Sequence, residues 1–109
     1  VLHTLYKRSI VEIGDDVSIG HNAIIHGAKV GNNVLIGMGA ILMDNAVIPD
    51  NTIIAAGALI LSNDMLEPGV YAGVPAKKVK DSNEKVVEMA RNNAAGYLMY
   101  KEWFKEDKE

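Results

Sequence analysis

Aliphatic residues return every six positions along this chain: Ile13, Ile19 and Ile25, then Val30, Ile36, Leu42, Ile48, Ile54 and Ile60, with one shorter interval of five between Ile25 and Val30. Few folds accept that rhythm. A helix buries residues at a spacing near 3.6, and a half-buried strand alternates without interruption. A step of six, bounded by turn formers, describes a chain that runs straight, turns a corner and repeats. Small or β-branched residues stand four places beyond most of the aliphatic ones, at Val17, Ala23, Val34, Ala40, Ala46, Thr52 and Ala58. Glycine follows directly at Gly14, Gly20, Gly31 and Gly37.

These features resemble the hexapeptide repeat of left-handed parallel β-helices, over roughly residues 10–65 and for nine repeats. The resemblance implies an all-β solenoid. Each hexad forms one side of a triangular coil, the aliphatic residue points inward, and the small residue fills the corner. Asn22, Asn32, Asn33, Asn45 and Asn51 suit the corner backbone angles, which most side chains avoid. Asp15, Asp16, Asp44 and Asp50 read most simply as turn residues. Met38, beside the corner glycines, reads as packing.

Three hexads close one coil. The inward column should therefore run Leu2, Ile25, Leu42, Ile60, with the residues near Leu5 to Ser9 bulging out as a loop. Three coils at ~4.8 Å make a stub only ~15 Å tall, with apolar ends that solenoids normally cap. Further N-terminal coils before Val1, a covering element, or oligomerisation are expected.

Residues 61–80 leave the regular pattern, with turns at Pro68-Gly69 and Gly73-Val74-Pro75-Ala76. The passage Val70 to Val79 resembles the exit motif of hexapeptide-repeat proteins in general. A helix follows, with Asp81 as cap and Glu84 as its reciprocal partner. Val86, Ala90, Ala94, Tyr97, Lys101 and Phe104 form its apolar-rich stripe, widened by Met89, Leu98, Tyr100 and Trp103. Residues 1–80 thus read as β-helix with exit segment, and 81–109 as a C-terminal packing helix of the same domain.

Charge and composition remove several function classes. Residues 1–80 hold six basic and seven acidic side chains, and 81–109 hold five and seven, so no basic face offers itself to nucleic acid. Without cysteine there are no disulfides and no thiolate metal sites. No apolar run approaches the ~18–20 residues of a membrane span and no secretory signal is visible, which points to the cytoplasm.

Three histidines remain, His3, His21 and His26. A lone histidine in a repeat protein is usually a surface residue, so residue type alone says little. Their spacing says more. His3 and His26 each follow a residue of the Leu2–Ile25 column and should stack one coil apart, close to ~4.8 Å. Two imidazoles so placed can bind one metal ion. His21 lies five residues before His26, up to ~16 Å along extended chain. It belongs at the far end of the same face, where a neighbouring prism could lend its own copy. Closure of that arrangement predicts a homotrimer with a site at each subunit boundary.

Val1-Leu2-His3-Thr4, Ile19-Gly20-His21-Asn22-Ala23-Ile24-Ile25-His26-Gly27 and the run from Val30 to Ala40 resemble the gamma-class carbonic anhydrase family. That family is a trimeric left-handed β-helix with a C-terminal helix. The resemblance implies zinc (iron or cobalt also accept imidazole) held by His3 and His26 of one subunit and His21 of the next. It implies reversible hydration of CO2 to bicarbonate by a metal-bound hydroxide, with no side-chain nucleophile. The family's further active-site residues fall before Val1. The loop that carries a proton-shuttling glutamate in some members is here the short, basic Leu5–Ser9 segment, with Glu12 the nearest acid.

Two other functions fit a hexapeptide-repeat chain. One is an acyltransferase using acyl-coenzyme A, with one histidine as general base and two unexplained. The other is a non-catalytic assembly subunit whose metal only stitches the trimer.

Overall fold

The computed structural model describes residues 11–92 and forms them into a left-handed parallel β-helix. Strands β1 (Glu12–Ile13), β2 (Val17–Ile19) and β3 (Ile24–Ile25) make the first coil. The second is β4 (Lys29–Val30), β5 (Val34–Ile36) and β6 (Ile41–Leu42), and the third β7 (Val47–Ile48), β8 (Thr52–Ile54) and β9 (Leu59–Ile60). They stack in parallel as β1-β4-β7, β2-β5-β8 and β3-β6-β9.

The registers reproduce the six-residue beat. Ile13 pairs with Val30 and Val30 with Ile48; Ile19, Ile36 and Ile54 follow one another; so do Ile25, Leu42 and Ile60. Ile25, Leu42, Ile36 and Ile54 are fully buried, as are the small fillers Ala23, Ala40, Ala46, Ala58 and Thr52. Leu2, the expected foot of one column, and the Leu5–Ser9 loop lie outside the described residues. Ile13 and Ile19, in line with buried partners, are 37% and 39% exposed, so the first described coil presents the apolar end anticipated for a short stack.

The corners explain the asparagines. Asp16, Asn22, Asn33, Asn45, Asn51 and Asn63 all have φ between 56° and 66°. Among L-residues this left-handed region is entered most readily by asparagine and aspartate, whose short polar side chains bond locally. Asn32 departs from expectation. It is not left-handed but accepts through Oδ1 from the Asp15 amide at 2.7 Å, while its own amide donates to Asp50 Oδ1 at 2.6 Å. That corner is two residues wide, and its second position takes the unusual angle. Asn33 stacks on it, donating from Nδ2 to Asn51 Oδ1 and to the Val87 carbonyl. Its Oδ1 is buried without a partner. The position beneath is Asp16, whose carboxylate has no donor to offer it.

Residues 61–80 correct the reading that the pattern ends at Ile60. Met65 still bridges in parallel to Val47. β10 (Gly69–Gly73) pairs in parallel with β8, Val70 on Ile53 and Tyr71 on Ile54, so one side of the prism gains a further strand. Tyr71 takes the inward place that an aliphatic residue holds below. Its buried hydroxyl accepts from the Glu67 amide and donates to the Glu67 carbonyl at 2.7 Å. A polar-tipped ring in that place hides the beat from a search for aliphatics. The chain then reverses, and β11 (Ala76–Asp81) runs antiparallel to β10.

Helix α1 (Glu84–Asn92) caps on Asn83, not on Asp81. Asn83 Oδ1 accepts from the Val86 amide at 2.9 Å, the bond that defines an N-cap. Asp81 closes β11 and pairs with Lys78 at 3.0 Å. The start is fixed by packing: Val86 and Ala90 must face Leu35, Ile53 and Val70, the outward residues of the sheet that α1 covers. The remainder of the expected stripe, from Ala94 to Phe104, lies outside the described residues.

Replacing Leu42 by alanine should destabilise the chain by about 2–5 kcal/mol in denaturant unfolding, since the column cannot close over the void. Asp81 and then Glu67 hold the Lys78 ammonium's pKa above the ordinary lysine value of 10.5. Because the folded value is the higher one, this contribution is complete below about pH 10.5 and vanishes as pH rises through the folded value. The stability difference between wild type and Lys78→Met should therefore be present at pH 8 and shrink above that window.

Candidate metal centre

The two described histidines frame one short strand. His21 occupies the corner before β3, and His26 follows β3 directly. Both are tied through the backbone to the coil above: the Gly39 amide donates to the His21 carbonyl at 2.9 Å, and the His26 amide donates to the Leu42 carbonyl at 2.9 Å. Alternation along β3 sends Ile25 inward, so Ile24 and His26 stand on the outer side. His21 is exposed and His26 half-buried. His3 lies outside the described residues.

The face around them is distinctive. Ile24, Ile41 and Leu59 form an outward apolar column, in register across β3, β6 and β9. Met43 and Leu61 continue the His26 position upward, and Met38 continues the His21 position. Met38 is 46% exposed and Leu61 41%. The other two faces differ. Helix α1 covers the outward residues of β5, β8 and β10. The β1-β4-β7 face carries Glu12 and Lys29, 3.9 Å apart. Only the histidine face, among the three, is both apolar and uncovered by described residues.

Among the described residues, no group of three His, Cys, Asp or Glu side chains is placed to hold a metal. His21 and His26 nevertheless suit one chemically: both are imidazoles at the ends of one strand, the nitrogen ligand type zinc accepts in an open site. The described part of one chain offers two imidazoles at opposite ends of a strand.

Asp44 is a residue whose position the sequence reading undervalued. It does more than turn the chain: its Oδ1 accepts from the amide of Gly27, next to His26, at 2.9 Å. The signal was present in the five-residue interval between Ile25 and Val30, which shortens this corner and leaves it to be held from above.

The chain is similar in sequence and fold to several known proteins. Residues 27–62 match the family model described as bacterial transferase hexapeptide (six repeats). Over 109 aligned residues, covering 94% of this chain and 59% of the relative, the sequence is 40% identical to Protein YrdA of Escherichia coli. It is 36% identical to gamma carbonic anhydrase 2, mitochondrial, of Arabidopsis thaliana, over 79% of this chain and 31% of that one. A hexapeptide transferase family protein of Anaplasma phagocytophilum superposes with a TM-score of 0.77 at 35% identity, over 92% of this chain and 58% of that one. The chain thus spans less than two thirds of the length of these relatives.

Proposed function

The chain belongs to the gamma-carbonic-anhydrase-like hexapeptide-repeat family, and from that premise we propose that it hydrates CO2 reversibly to bicarbonate at metal sites between the subunits of a homotrimer. His3 and His26 of one subunit and His21 of the next would hold the ion, zinc in the first instance. The observation that carries this reading is an outward apolar face, uncovered by other described elements, with an imidazole at each end of β3. An outward, half-buried apolar column of Ile24, Ile41 and Leu59, with Met38 and Leu61 exposed beside it, is most simply covered by a second copy, and covering it would bring the histidines of two copies to one boundary.

Held by these three imidazoles, a zinc ion would supply the acidity that turns water into a hydroxide nucleophile for the carbon of CO2 near neutral pH. The chain's own residues do the rest. The coil spacing sets which imidazoles share an edge. The backbone bonds at His21 and His26 fix where each ring starts from. The isoleucine column supplies apolar walls, which favour CO2 over water. The released proton leaves by a separate step.

A transferase is the competing reading, favoured by the family model's description and by the Anaplasma protein's. In it an acyl-coenzyme A donor would lie between prisms and one histidine would act as general base. Coenzyme A binding without stoichiometric metal would support it. A metal that stitches an inert trimer is a third outcome, recognised by metal content without CO2 hydration.

Complementation tests the shared site. His21→Ala and His26→Ala homotrimers should each lose metal while remaining trimeric. Mixed and reassembled at equal amounts, they should recover roughly a quarter of the sites, because a quarter of random boundaries pair an intact His26 with an intact His21. No recovery would place all the ligands within one subunit. Ile41→Glu, by contrast, should leave a β-rich chain that runs as a monomer in size-exclusion chromatography and binds no stoichiometric metal.

A further inference from the structure

We propose that Asp44 is a positioning residue for the metal ligand His26, acting through the Gly27 peptide. This deepens the metal reading above and rests on it. The corner that follows β3 differs from the two stacked over it. Those contain Asn45 and Asn63 in the left-handed conformation. The corner at His26 is one residue shorter, has no such residue, and turns instead through a tight contact from the Ala28 amide to the His26 carbonyl. A three-residue turn of this kind leaves its central peptide little freedom.

Gly27, the central residue, is buried and clamped from the coil above on both of its polar groups. Its amide donates to Asp44 Oδ1 at 2.9 Å, and its carbonyl accepts from the Asn45 amide at 2.7 Å. The second bond is the ordinary backbone ladder of the solenoid. The first is a side-chain bond to a half-buried carboxylate, stronger than a neutral one because the acceptor is charged. The clamp sits one peptide from His26, whose own amide is held by the Leu42 carbonyl. Three bonds therefore fix the backbone that carries the ligand, and Asp44 supplies the one that depends on a side chain.

An internal control exists. Asp50 caps the Asn32 amide in the same manner at 2.6 Å, at the corner between β4 and β5, away from both histidines. A merely structural role predicts that Asp44 and Asp50 are interchangeable in effect. A positioning role predicts that they are not.

The experiment uses the full chain loaded with cobalt(II), read by its visible spectrum and by chelator competition. Asp44→Ala should weaken cobalt affinity roughly ten-fold or more, as loss of a ligand-orienting contact does, and shift the cobalt absorption bands. Asp50→Ala, which removes a more exposed cap, should lower the melting temperature while leaving affinity and spectrum as in wild type. Asp44→Asn, which keeps an oxygen acceptor, should recover most of the affinity. Should Asp44→Ala fail to fold, Asp44→Glu, with its acceptor displaced by one methylene, should show an intermediate loss. Affinity in Asp44→Ala or Asp44→Glu equal to wild type, or an equal loss in Asp50→Ala, overturns the proposal alone. A wild-type chain that takes up no cobalt overturns both it and the metal reading beneath it.

Discussion

Each coil is held to the next by a parallel ladder in which a backbone amide reaches the carbonyl one turn further along the chain. Gly14 to Val30, Gly20 to Ile36, His26 to Leu42 and Gly37 to Ile54 are successive instances. That ladder converts sequence distance into vertical distance. Residues one turn apart become neighbours at the inter-strand spacing, and every column, apolar or polar, inherits its alignment from it. The inward columns then need only be aliphatic, and the corners need only tolerate a left-handed angle. Slippage would take Ile25, Leu42 and Ile60 out of line and misplace the histidine edge with them.

The corners carry a second ladder, made by side chains. Asp15, Asn32 and Asp50 form one such stack, in which the Asp15 and Asn32 amides each meet a side-chain oxygen from the coil above. Asp44 over Gly27 belongs to another. These groups spare the corner amides from going unbonded where the backbone leaves the sheets. They also explain why aspartate and asparagine dominate there: both present an oxygen at the right height, and asparagine can add a donor, as Asn33 does toward Asn51.

What the sequence disclosed follows from these two ladders. The coil boundaries, inward columns, small corner fillers and most left-handed asparagines were legible, because period and residue chemistry determine them locally. The cap at Asn83 was not. Asp81, Ser82 and Asn83 are all competent capping residues, and the choice is made by the packing of Val86 and Ala90 against a distant sheet. The strand at Val70–Tyr71 was hidden because an aromatic with a satisfied hydroxyl stands where an aliphatic was sought. The role of Asp44 was hidden because a turn residue and a support for its neighbour one coil below look alike along one dimension. On the site, His21 and His26 stand at the two ends of β3 and His3 lies outside the described residues, so the three-histidine set remains a proposal.

The reversal at β11 sets how such a stack can associate. By folding back antiparallel on β10, it replaces the parallel edge that another coil would have needed with an outer strand bearing Lys77, Lys78 and Lys80. Lysines along a strand rim discourage edge-to-edge addition. On that side of the prism the parallel ladder is terminated by an antiparallel edge. A further parallel coil finds no matching edge to extend on that side.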